Sequence, residues 1–244
     1  MLQKVKSPLF LLFKNAVLFG LLVFILSYAN LYYFSIRVFH KEIEAQVGIA
    51  NVSSFLLKEA LSLLFLLILC SYCGFAFSKR NGLPGMVGLK ELKDYGLKYY
   101  FPGAFSLVIL SYFIFDRFFM IEAPQYFPKI WYWALTIPFA SAFLEETVFR
   151  FGMLTVLVGG IRRWLHPLWA NFAVSLFYAL VMTKKTFGFV DIPIELNWLG
   201  ITGLLGSFLT CFLLGWIYIK KGLIPAIFLH FCLSCKYLIY ACVL

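Results

Sequence analysis

A chain of 244 residues that is 63% hydrophobic and 20% aromatic, with 13% charged residues and a mean hydropathy of +0.90, is not a soluble domain, since such domains run near 45–50% apolar and about 25% charged. Its net charge of +10 does not point to nucleic acid, because the cations gather at the ends of apolar runs, where they orient membrane spans. At about 20 residues per crossing, the length admits about seven or eight helices. The expected fold is an all-α polytopic bundle, one integral membrane domain over 1–244 with membrane lipid around it.

The start, Met1-Leu-Gln-Lys4-Val-Lys6, has the charge of a signal peptide. The apolar stretch then runs from about Ala16 to Ile36 with no small-x-small cleavage site after it, so an uncleaved first span is expected. Apolar windows predict spans near 16–36, 54–77, 99–115, 131–158, 164–182, 198–219 and 222–242. Residues 83–98 alternate apolar and charged positions at helical spacing, which predicts an amphipathic segment lying in the interface. The fourth window is long for one crossing. A bend or break is expected after Arg150, near Gly152 or Gly159-Gly160, which would add an eighth short helix. With the N-terminus inside, twelve cations fall on its side and seven on the other, while Arg150 and Lys236 lie within spans. That bias predicts a cytoplasmic N-terminus and, with seven spans, an external C-terminus.

Six cysteines stand at 70, 73, 211, 232, 235 and 242. Cys70/Cys73 and Cys232/Cys235 have the spacing of zinc or redox motifs. On transmembrane helices, i and i+3 are neighbouring small packing positions, so neither a metal nor a cofactor is expected. Cys242 is third from the end, where a prenylation box needs the fourth, so the chain is not expected to be prenylated itself. Lys236 is expected to snorkel outward or pair internally. Asn171 and Ser175 read as interhelical hydrogen-bonding residues. Lys184-Lys185 with Asp191 and Glu195 read as a solvated loop, and the six tryptophans as interfacial anchors.

The most informative run is Phe143-Leu-Glu-Glu-Thr-Val-Phe-Arg-Phe-Gly152. A charge at the centre of a span costs roughly 2.5–3.5 kcal/mol on insertion scales, so three in six positions need a reason. Glu146 and Arg150 are four apart and share a helix face. Glu145 points about 100° away and is left without a local partner. A carboxylate so placed is a candidate general base. His230, one of three histidines, lies eight residues into the last span, about 12 Å along a helix, and Glu145 about 21 Å beyond Trp131. The two spans run in opposite directions, so both side chains reach the inner half or middle of the bilayer. The alternative is a buried ion cluster with an interhelical histidine bond; one ion pair would suffice for that, and the second glutamate is surplus.

Glu145-Glu146-x-x-x-Arg150, His230 on a later helix and its entry Gly222-Leu-Ile-Pro-Ala226 resemble the CPBP family, which takes in CAAX prenyl endopeptidases, bacteriocin-processing enzymes and Abi-type proteins. The resemblance covers residues 130–240, a CPBP-like catalytic core. It implies a helical membrane bundle and a glutamate-dependent intramembrane protease. Glu145, Glu146 and His230 would be catalytic, with Arg150 and Ser234 supporting. Two motifs depart from the family. Its Phe-x-x-x-His reads Phe177-Tyr-Ala-Leu-Val181, and its His-x-x-x-Asn reads His230-Phe-Cys-Leu-Ser234. His40, in the first loop, and His166, near the membrane surface, do not replace the missing histidine. Tyr178 could supply a hydroxyl, although a tyrosine there more often packs. A serine at 234 can still donate a hydrogen bond.

The implied function is an endopeptidase that uses a glutamate-activated water, with no cofactor called for, to cut C-terminal tails, leader peptides or sorting tags of membrane-associated proteins. The alternative is a non-catalytic scaffold or regulator on the same fold, motivated by Val181. A proton-coupled carrier would also bury carboxylates, but no inverted repeat is visible. Short loops and the family's range suggest a bacterial inner membrane.

Overall fold

The computed structural model describes residues 8–38, 40–122, 124, 127–188 and 198–243, and these are helical almost throughout, with no strand among them. Hydrocarbon offers no partner for backbone amides, so each apolar run closes its own hydrogen bonds as a helix. Helix α1 (Pro8–Tyr33) ends in a π turn (Phe34–Val38), and α2 (His40–Val47) is a short connector to α3 (Val52–Phe77). A continuous run follows, of α4 (Leu89–Tyr95), a π turn (Gly96–Tyr100), α5 (Phe101–Ser111), a second π turn (Tyr112–Asp116) and α6 (Arg117–Glu122). The next run is α7 (Trp131–Phe139), a π-helical stretch (Ala140–Leu154) and α8 (Thr155–Ile161). The chain closes with α9 (Pro167–Gly188), α10 (Trp198–Lys221), α11 (Leu223–Ser234) and α12 (Lys236–Val243).

Five of these runs are long and apolar enough to cross a membrane: Leu9–Ile36, Ile49–Phe77, Leu92–Ile121, Gly200–Lys221 and Leu223–Cys242. Pro167–Met182 is a shorter apolar helix. The 131–161 run carries Glu145, Glu146 and Arg150 and lies at the centre of the bundle, against α1, α3, α9 and α11. Large apolar side chains such as Phe65 (69% exposed) and Leu209 (62%) face outward, as a lipid-facing surface requires. The protein is a multi-pass integral membrane protein, an all-α bundle.

Two local expectations change. No break follows Arg150, and the helix runs on through Gly152. It departs from α geometry earlier, with i→i+5 bonding that begins at Ala140, just past Pro138 inside α7. Proline has no N–H for the preceding turn and its ring crowds the carbonyl four residues back, which a wider turn relieves. Gly152 serves close packing instead: a methyl group there would meet Cβ and Sγ of Cys70 on α3 at 2.7 Å. Reciprocally, Phe151 lies over Gly74 and sits edge-on to Phe75 and Phe19, at centroid distances of 5.0 and 6.0 Å. Gly152→Leu is therefore expected to cost about 1–3 kcal/mol by overpacking, read as a lower melting temperature in detergent.

The segment 83–98 does not form a separate surface helix. Residues 83–88 make a turn with Gly85 (φ 71°) and Gly88 (φ 119°), and α4 then leads directly into the α5 run. The turn packs against the α10–α11 junction, where Leu223 N–H donates to the Gly85 carbonyl at 2.9 Å. Gly222 (φ 101°) lets the Val87 carbonyl come close, which a side chain would block. Asn81 donates to the Thr155 carbonyl at 2.8 Å, and the Arg162 guanidinium to the Arg80 carbonyl. Lys79, Arg80, Arg162, Lys220 and Lys221 thus share one end of the bundle, the end that the charge count assigns to the inside. Lys4, Lys6, Asp191 and Glu195 lie outside the described residues.

Lys236 pairs internally. Its Nζ lies 2.8 and 2.9 Å from the two oxygens of Asp116, which is 1% exposed and also accepts from Ser111 (2.7 Å) and Tyr240 (3.0 Å). Asn171 makes the expected interhelical bond, to the Phe212 carbonyl at 2.9 Å.

Candidate active site

Three elements bring their polar side chains to one point. The π stretch supplies Glu145, Glu146 and Arg150, α9 supplies Tyr178, and α11 supplies His230. Arg150 Nη1 lies 3.2 Å from Glu146 Oε1, and Nη2 donates to the Cys211 carbonyl of α10 at 3.2 Å. Both residues are essentially inaccessible, at 1% and 0%. His230 Nδ1 lies 2.7 Å from Glu146 Oε1. An ionised carboxylate only accepts, so Nδ1 is the donor and Nε2 is turned the other way. It faces Glu145, with Nε2 3.8 Å from Oε2, too long for a direct hydrogen bond. Tyr178 Oη donates to that same Oε2 at 2.6 Å. The guanidinium of Arg150 stands 5.7 Å from the Tyr178 ring centroid, which closes a loop of five side chains.

The predicted residues Glu145, Glu146, Arg150 and His230 therefore meet. The Glu146–Arg150 pairing is as expected from their spacing. Two details are added. Glu145, without a partner on its own helix, takes one from α9 in the hydroxyl of Tyr178. The direct bond of His230 is to Glu146, with Glu145 across a gap. Ser234 is buried at the end of α11, one turn past His230, and among the described residues no hydrogen bond joins it to the carboxylates. Val181 is 39% exposed, one turn beyond Tyr178. The other histidines are elsewhere: His40 lies 4.0 Å from Glu44, and His166 Nδ1 accepts from the Leu168 amide at the start of α9.

Chemically, the cluster holds two carboxylates against one guanidinium, with an imidazole between the carboxylates. A buried group of this kind with one carboxylate reachable from outside can exchange a proton with a reacting molecule. The reachable carboxylate is Glu145, whose side chain is 14% exposed against 0% for Glu146. Among the described residues no group of three or more histidine, cysteine or acidic side chains could hold a metal ion.

Residues 127–235 match the family model for type II CAAX prenyl endopeptidases, Rce1-like. They form an Rce1-like domain of the CPBP family. Searches of curated proteins and of solved structures each gave no match. The Rce1-like domain opens in the turn before α7, ends just past α11, and contains all five side chains of the loop. The family is one of CAAX-type proteases, which act on membrane-associated protein substrates.

Proposed function

We propose that the protein is an intramembrane endopeptidase in which Glu145 activates a water against the peptide bond of a membrane-associated substrate. Glu145 takes a proton from the water as its oxygen attacks the carbonyl carbon. The carbonyl π electrons move to oxygen, and the resulting oxyanion is met by Nε2–H of a protonated His230. Collapse breaks the C–N bond, and the proton held on Glu145 passes to the departing amine. Glu146, fixed by Arg150, keeps the imidazole turned toward the reacting atoms, as the orienting acid does in other His–carboxylate pairs. The observation that carries this reading is that His230 Nε2 stands 3.8 Å from the Glu145 carboxylate without bonding it, which leaves both groups able to reach one bound water or carbonyl oxygen.

Substrates of this class include C-terminal CAAX tails, leader peptides and sorting tags. The twelve-to-seven cation bias supports a cytoplasmic N-terminus, and short connections support a bacterial inner membrane. Val181 favours a second reading, a scaffold that keeps the bundle but binds without cutting. The two separate in liposomes carrying the purified protein and a peptide library with prenylated and unprenylated C-termini, with new ends read by mass spectrometry. The expected result is cleavage that falls about 10²–10⁴-fold in Glu145→Gln. Equal cleavage by the variant would overturn the assignment, and a library with no Glu145-dependent product would favour the scaffold.

A further inference from the structure

We infer that Tyr178 is a positioning residue for Glu145, supplying from α9 the side-chain donor that a histidine at position 181 would otherwise bring. The inference rests on the endopeptidase reading. Three observations carry it. First, the 2.6 Å contact from Tyr178 Oη to Glu145 Oε2 is the shortest polar contact in the site. The hydroxyl is the donor and the carboxylate oxygen the acceptor, and hydrogen bonds from a hydroxyl to a carboxylate are among the strong ones. Second, the ring cannot swing away. It packs edge-on against Phe149 with centroids 4.9 Å apart at 89°, lies beside the Arg150 guanidinium, and leaves Tyr178 only 8% exposed. Third, Tyr178 stands one turn before Val181, the position at which the family resemblance leads one to expect a histidine. Position 181 is about 4.5 Å further along α9 and about 60° round it, so a side chain there starts close to the tyrosine.

The hydroxyl has a defined consequence. It commits one carboxylate oxygen to the protein and leaves the other as the base. The carboxylate plane is thereby held relative to His230 Nε2, which lies 3.8 Å from the committed oxygen. Without that bond Glu145 rotates about its own χ angles, and the base loses its aim while substrate binding is unaffected. Misplacement of a catalytic group by about 1 Å can cost on the order of 10²-fold in rate.

The test is kinetic, in the same liposomes, with a peptide cleaved by the unmodified protein in a Glu145-dependent way. Tyr178→Phe keeps the ring and its packing. It is expected to lower kcat by about 10–10²-fold with KM and melting temperature unchanged. Adding Val181→His to Tyr178→Phe is expected to restore much of that loss. A Tyr178→Phe protein with undiminished kcat would overturn the inference while leaving the endopeptidase reading in place. A loss that tracks melting temperature would make Tyr178 a packing residue and overturn it equally, and a loss that Val181→His does not recover would overturn the equivalence of the two donors. Cleavage that survives Glu145→Gln would instead remove the reading on which it rests.

Discussion

Arg150→Leu should cost about 3–5 kcal/mol of stability, the largest structural effect expected of any single change near the site. Arg150 and Glu146 are 1% and 0% exposed, and the guanidinium both neutralises Glu146 and donates to the Cys211 carbonyl. Leucine would leave a carboxylate at the centre of the bundle with only His230 beside it, and would strip the α10 carbonyl of its donor. Breaking a buried pair from one side is costly, whereas removing both charges is often nearly neutral. Arg150→Leu combined with Glu146→Leu should therefore regain most of the lost stability yet remain inactive, because His230 Nδ1 would then have no carboxylate to orient it. Unfolding in mixed micelles measures the first effect and peptide cleavage the second. An Arg150→Leu protein as stable as the parent would show that the charges are not coupled as their 3.2 Å separation implies.

The largest effects on activity should come from His230→Ala and Glu145→Gln, each lowering kcat by about 10²–10⁴-fold. The pair acts on one water and one carbonyl, so the double variant should be scarcely worse than the poorer single one. Groups that work as a unit lose their function together and not in multiples. His230→Ala should also fold well, since Glu146 keeps Arg150 and Glu145 keeps Tyr178. The measurement is kcat for all four proteins on one substrate. Multiplying losses would mean that the imidazole and the carboxylate act at separate steps.

Much of this is legible in the residues. Hydropathy places the helical runs because hydrocarbon leaves the backbone no alternative. The Glu-Glu-x-x-x-Arg run marks the site because charges so placed need a reason. What is not legible has physical causes too. Reading Glu145 as without a local partner assumes ideal α geometry and asks only for neighbours on its own helix. The segment is π-helical from Ala140 to Leu154, and the partner comes from α9. Gly152 reads as a hinge because glycine weakens helices, yet its missing side chain is spent on the approach of Cys70. Lys236 reads as free either to snorkel or to pair, because nothing local announces an aspartate 120 positions earlier as its partner.

That distant pair, taken with the Gly85–Leu223 bond, has a further consequence. The helix bearing the imidazole is moored at its entry to the turn at residues 83–88 and just past its exit to the third crossing. Sliding or rolling it would have to undo one mooring or the other. The imidazole's register against the paired acids is thus set from outside the reactive centre, so changes at Gly85 or Asp116 should blunt turnover without touching a single group that meets substrate.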